Sequence, residues 1–316
     1  MGKVLVTRWK GSVRGNFPVL GAIRIDMKGT DNNNNASTTG RLELEGSKSE
    51  WKGVGNPEIG NDYGGTTSYT VTFTKTDKGL LLVKDKYNLK KINSTFAYGA
   101  HVNFEDINKY CKNLSILYLS NSEQEGDLSE IADLNVLETI SLSFSKVTGN
   151  INVLSCLPNL KSLNIGDNKS IECDLQDLSS CYNLEDLKIE RSSATGNLSS
   201  LATCLKLKSI ASTGSGIKGS ISSLANLESF IYFSNFALPN TWSSDSLRPS
   251  RMEKIMGNIK FATSTDTDNF IKNMAECTVG NTKTWYFQNS HRTPASDAAV
   301  QKLQQQGYTL EQLIKD

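Results

Sequence analysis

A recurring spacing of aliphatic side chains through the middle of the chain restricts its folding more than any other feature. Leu-x-x-Leu-x-Leu, with Ile admitted, occurs at Leu114/Leu117/Leu119, Leu137/Ile140/Leu142, Leu160/Leu163/Ile165 and Leu184/Leu187/Ile189. Looser copies follow at Leu207/Ile210/Ser212 and Leu227/Phe230/Tyr232, and Leu89/Ile92 begins the series. Successive starts lie 25, 23, 23, 24, 23 and 20 residues apart. A unit of this size cannot bury its apolar side alone, so units must stack into a solenoid with one shared core. Each coil is expected to bury about four or five aliphatic side chains at roughly 1.5–3 kcal/mol apiece, provided a neighbour covers them.

Two further columns run in the same register. Gly126-x-Leu128, Gly149-x-Ile151, Cys173-x-Leu175, Gly196-x-Leu198 and Gly219-x-Ile221 each open a stretch in which apolar residues return every third position, as in Leu128, Ile131, Leu134 and Leu137. Triplet spacing puts i and i+3 on one face of an extended or 3₁₀-like convex side. The 20-residue step is a coil that has lost one triplet, keeping Ile221, Leu224 and Leu227. Three residues beyond the last apolar strand position stand Ser122, Ser145, Asn168, Ser192, Ser215 and Asn235. Small polar side chains at such a place can satisfy backbone groups where the coil turns sharply.

On these residues the segment 89–232 resembles the leucine-rich-repeat family. The resemblance implies one short parallel strand per coil on a concave side, right-handed winding and a continuous core. The expected fold class is an α/β-type solenoid of about 23-residue repeats with short parallel strands, preceded by a small β-rich domain and closed by a C-terminal helical cap. Three units are expected: residues 1–84, 85–290 and 291–316. In the first, residues 4–6, 41–45 and 68–74 alternate as strands do, with an Asn-rich polar loop at 31–39. Trp9, Trp51 and Tyr63 are its candidate core or oligomer contacts. Near the C-terminus, residues 268–277 read as helix, 283–288 as a last strand, and 296–306 as an amphipathic helix stopped by Gly307.

Charge excludes several roles. With 34 Lys+Arg against 33 Asp+Glu there is no general field to draw in nucleic acid or an anionic membrane. Residues 80–83 form the longest conspicuous apolar run, far short of a membrane span. The N-terminal residues lack a signal-peptide apolar core, which points to a protein made and kept in the cytoplasm or assembled there. Of the six cysteines, Cys111, Cys181 and Cys204 stand where other coils have Leu134 and Leu157, so they are expected to be reduced and structural. Only His101 and His291 are present, neither with ligands at metal spacing. Residues 214–219 match G-x-G-x-x-G, but no helical pattern follows and Gly219 belongs to the coil column. No catalytic residue, metal or cofactor is expected.

Strand alternation instead directs attention to the concave face. Its candidate binding residues are Tyr118, Thr139, Ser141, Asn164, Asp186, Lys188, Ile231 and Phe233. Tyr118, Ile231 and Phe233 would supply apolar anchors of the kind that dominate binding energy, while Asp186 and Lys188 can neutralise each other.

The β-rich start, the short irregular repeats and the closing Ala-Ala-Val-Gln-Lys-Leu-Gln-Gln-Gln-Gly-Tyr-Thr unit are similar in style to leucine-rich-repeat proteins of tailed bacteriophages of gut Bacteroidetes, including crAss-like phages. That resemblance implies a homo-oligomeric virion component, a head or tail fibre or decoration anchored through residues 1–84. Its partners would be other virion proteins or a host surface receptor. The alternative is a bacterial leucine-rich-repeat adhesin or surface protein, which requires export.

Overall fold

The computed structural model describes residues 89–94, 100–122, 124–219, 263–276 and 289–316 continuously. It also describes Phe261 and short segments at 23–27, 39–45, 49–54, 58–61, 68–74, 78–83, 229–231, 251–252, 254–256, 278–279 and 283–287. Its backbone is a leucine-rich-repeat-type solenoid. Parallel strands Lys91–Asn93, Ile116–Tyr118, Thr139–Ser141, Ser162–Asn164, Asp186–Lys188, Ser209–Ala211, Ser229–Ile231 and Lys254–Met256 form one continuous ladder. The central residues Ile92, Leu117, Ile140, Leu163, Leu187 and Ile210 stand in register and are wholly buried. Alternation then forces the first and third residue of each strand onto the concave face. The strand at Lys254–Met256 extends the ladder beyond the last leucine motif, in a stretch where no repeat was legible.

The convex side carries the expected triplets as 3₁₀ segments Leu128–Ile131, Ile151–Cys156, Leu175–Leu178 and Leu198–Leu201. Asp127, Asn150, Asp174 and Asn197 cap them, each side chain accepting the N–H two residues on at 2.8–3.0 Å. Between the two faces runs a second parallel ladder that the sequence did not disclose. Glu125–Asp127, Lys146–Asn150 and Ile171–Glu172 form one part, Thr195–Asn197 and Gly216–Lys218 another. It explains the glycine column. Gly149 and Gly196 have φ of +109° and +104°, and a Cβ there would stand 3.0 Å and 2.8 Å from the capping carboxylates of Asp127 and Asp174 in the preceding coil.

Asn235 lies outside the described residues; the described part of the polar column works as anticipated. Ser145, Ser192 and Ser215 each donate to the carbonyl three residues back at 2.7 Å. Asn168, 1% exposed, reaches further: its Nδ2 donates to Leu142 O, Val147 O and Ser145 Oγ at 3.1–3.4 Å, and its Oδ1 accepts from Ser170 N at 3.0 Å.

At the N-terminal end, strand Thr39–Glu45 pairs antiparallel with Lys91–Asn93 and with Ser68–Thr74, which in turn pairs with Glu58–Asn61. The first edge of the solenoid sheet is thereby covered. A separate antiparallel sheet has the order Ser49–Val54, Lys78–Val83, Ile23–Met27, Ala100–Val102. Trp9 and Tyr63 lie outside the described residues. Trp51 is in a strand opposite Leu81, and its side chain is likewise outside the description. Helix α1, Phe104–Tyr110, begins the first coil's return, capped by Asn103.

The C-terminal cap is helical. Helix α2, Ser264–Ala275, and helix α3, Asp297–Gln305, pack on each other around Phe261, Phe270, Trp285, Phe287 and Tyr308. The buried Asp268 carboxylate ties them together by accepting Thr293 N at 3.0 Å and Ser296 Oγ at 2.6 Å. After α3 and Gly307 the chain adds strand Thr309–Glu311, parallel to Thr284–Tyr286, so the cap ends in strand rather than helix.

Candidate binding surface

The ladder places Tyr118, Ser141, Asn164, Lys188 and Ala211 directly opposite one another, with Ile116, Thr139, Ser162, Asp186 and Ser209 in the parallel column. Six of the eight candidate residues, Tyr118, Thr139, Ser141, Asn164, Asp186 and Lys188, therefore share one surface. Ile231 is in the same ladder opposite Ala211, with its side chain outside the description, and Phe233 lies outside the described residues.

The middle of this surface is low. Ser120, Ser141 and Ser143 are 5%, 8% and 8% exposed, and Gly166 is buried. Small side chains bonded to one another make a firm floor: Ser120 Oγ and Ser141 Oγ are 2.6 Å apart, Asn164 Nδ2 donates to Ser143 Oγ at 3.4 Å, and Asn164 Oδ1 accepts Gly166 N at 3.0 Å. Tyr118 stands on one side and Lys188 three strands away, a span of about 14 Å at the usual strand spacing. That is wide enough for an extended segment to lie between them.

Lys188 Nζ is 3.2 Å from Asp186 Oδ2, which Ser162 Oγ also approaches at 3.4 Å. The expected mutual neutralisation is thus present, and at its exposure it contributes little to stability. A row of groups that sequence reasoning passed over borders the floor. Asn121, Phe144, Asp167, Arg191 and Gly214 are one per coil and all have left-handed backbone. Arg191 Nε and Nη2 hold Asp167 bidentately at 2.6 Å each, and that bond raises the guanidinium pKa further. Phe144 combines φ of +53° with 54% exposure, an unusual pairing for a bulky residue. One position earlier in the chain than Arg191, Glu190 has its carboxyl pushed above the ordinary range, chiefly by burial. The available signal was positional: each of these residues directly precedes or stands two before the small polar turn residue.

Among the described residues no group of three or more His, Cys, Asp or Glu could hold a metal, and no helix is long and apolar enough to cross a membrane. His291 bonds to Asp316 at 2.5 Å on the exposed C-terminal coil. Cys156, Cys173, Cys181 and Cys204 carry free thiols. Burial pushes the Cys173 and Cys181 thiols up to about 12, and raises that of Cys204, as befits small hydrophobes in the core.

No protein-family model and no curated protein matches the chain. Solved structures do. A plant ice-binding protein superposes with a TM-score of 0.50 at 19% identity, over 66% of this chain and 67% of that one. A leucine-rich-repeat protein of Leptospira interrogans gives 0.50 at 16% identity, over 71% and 61%. An internalin of Listeria monocytogenes gives 0.49 at 18% identity, over 66% and 56%. This chain thus spans just over half of the internalin and under two thirds of the Leptospira protein.

These matches overturn the expectation of a phage virion component and of a virion location. The features behind it have a general physical cause: short irregular repeats follow from convex triplets, and a β-rich start from the need to cover a sheet edge, so neither marks a phage protein. At identities below 20% the likeness to the ice-binding protein and the Leptospira protein establishes one thing, that the chain has the leucine-rich-repeat solenoid fold.

Proposed function

We propose that this chain is a protein-recognition module of a bacterial leucine-rich-repeat adhesin or surface protein, which docks a protein partner on its concave sheet. The observation that carries the reading is the low floor of Ser141, Ser143 and Gly166, walled by Tyr118 and Lys188, in a sheet whose other face is fully occupied by core leucines. An aromatic at one wall and committed ion pairs at the other offer an anchor and orientation. A solved leucine-rich-repeat protein of the bacterium Leptospira interrogans, which has the same solenoid fold, supports the choice of a bacterial repeat protein. Residues 1–84, 85–290 and 291–316 are proposed as anchoring, recognition and capping units, with homo-oligomerisation through the first, where Trp9, Trp51 and Tyr63 would make contacts.

Surface placement is tested by protease shaving of intact source cells, followed by immunoblotting: the chain should disappear while a cytoplasmic marker persists. Docking is tested by chemical cross-linking of the full chain on those cells, compared with a Tyr118→Ala/Ser141→Arg variant that remains folded. The reading requires a partner adduct lost in the variant. An adduct formed equally by both would refute it.

A further inference from the structure

One point on the concave surface is chemically unbalanced. The carboxylates of Asp167, Asp186 and Glu190 share their neighbourhood with two cations, Lys188 and Arg191. Arg191 is engaged bidentately by Asp167, and Lys188 is paired with Asp186. Glu190 is left with its own backbone N–H as hydrogen-bond donor, the two cations acting on it only through space. It is also half-buried, so water compensates its charge incompletely.

The geometry around it is that of a notch. Gly166 has no side chain where the neighbouring coils carry Ser143 and Glu190. An atom at its Cβ position would lie 3.1 Å from Glu190 Oε2 and 3.3 Å from Asn164 Oδ1. Two oxygen acceptors therefore converge above a bare stretch of backbone. The Gly166 carbonyl accepts the N–H of Phe144 at 3.2 Å, which ties this bare backbone to the preceding coil. We infer that the notch above Gly166 is the seat of one cationic side chain, Lys or Arg, carried by an extended segment of the protein partner and received by Glu190 and Asn164. Charge complementarity selects the occupant: a cation restores neutrality and makes charge-assisted bonds to both acceptors. An anionic or purely aliphatic side chain would leave the carboxylate buried without a partner.

The inference rests on the concave-docking reading, and the test separates the two. Random dodecapeptides displayed on messenger RNA are selected on the immobilised full chain, and the winners are measured against Glu190→Gln, which removes the charge, and Gly166→Ala, which fills the notch with the charge kept. Ser141→Arg, which obstructs the floor, reports on docking itself, and circular dichroism confirms that each variant is folded. Selected peptides should share a Lys or Arg, bind Glu190→Gln and Gly166→Ala at least tenfold more weakly, and lose that distinction when the basic residue is changed to Met. Peptides weakened by Ser141→Arg yet indifferent to Glu190→Gln would overturn the inference and leave docking standing. Peptides indifferent to all three variants, or no selected peptide, would sink both.

Discussion

Replacing Asn168 by Ala tests how neighbouring coils are coupled. The amide is almost wholly buried, and its Nδ2 bonds point back into the preceding coil, to Leu142 O, Val147 O and Ser145 Oγ, while Oδ1 holds Ser170 N in its own coil. Leu142 O keeps a donor in Ser145 Oγ at 2.7 Å, but the Val147 carbonyl and the Ser170 N–H each lose a partner inside the protein. Net contributions of about 1 kcal/mol per hydrogen bond, with roughly 1–3 kcal/mol for a buried group left unmet, give a loss of about 2–4 kcal/mol. Ser192→Ala is the internal control, because that hydroxyl makes one donor bond to Ile189 O and receives Ala194 N at 3.2 Å; its loss should be about 1 kcal/mol. Urea unfolding followed by far-ultraviolet circular dichroism measures both. Asn168→Ala should also lower the denaturant slope, since coils that no longer hold each other unfold less cooperatively. If Asn168→Ala costs no more than Ser192→Ala, the claim that this side chain bridges coils is wrong.

Three other outcomes are expected. Burial raises the Glu190 carboxyl above its unfolded value, so its ionised form opposes folding above the folded pKa and that penalty fades as pH falls through it; Glu190→Gln should therefore melt higher than the natural chain at pH 7.5, with the difference shrinking towards pH 4. Gly196→Ala, with left-handed backbone and a Cβ 2.8 Å from Asp174 Oδ1, should cost about 2–3 kcal/mol, whereas Gly307→Ala, with φ of +87° and open space around it, should cost about 1 kcal/mol; equal costs in thermal unfolding would show that coil-to-coil contact is not the reason for glycine. Of the five described cysteines, exposed Cys156 should react with a thiol reagent at pH 8 in the folded protein, and Cys111, Cys173, Cys181 and Cys204 only after denaturation.

Leucine spacing, convex triplets and the Ser/Asn column were each legible because they repeat: a solenoid imposes the same burial at the same place in every coil, so single residues such as Ser212, which breaks the pattern, do not hide it. The same logic identified the concave column from Tyr118 to Lys188, since a strand offers its side chains only two directions. What had no repeating residue type was invisible. The left-handed row passes through Asn, Phe, Asp, Arg and Gly, because that backbone position is set by hydrogen bonds to the next coil and its side chains are free to vary. The second ladder was hidden behind glycines such as Gly149 and Gly196, where a Cβ would crowd the previous coil's capping carboxylate. The final strand Thr309–Glu311, beyond the Gly307 that stops the helix, has no apolar alternation long enough to mark it.

Sequence by itself therefore determined the stacking, because burial of leucine is a local demand met identically in every turn. Only the tertiary structure decided which charges remain unpaired: Asp167 finds Arg191 across 24 positions of chain, Asp186 finds Lys188 beside it, and Glu190 is left above Gly166. Electrostatic balance depends on distances between coils, and the order of residues along one coil does not specify them.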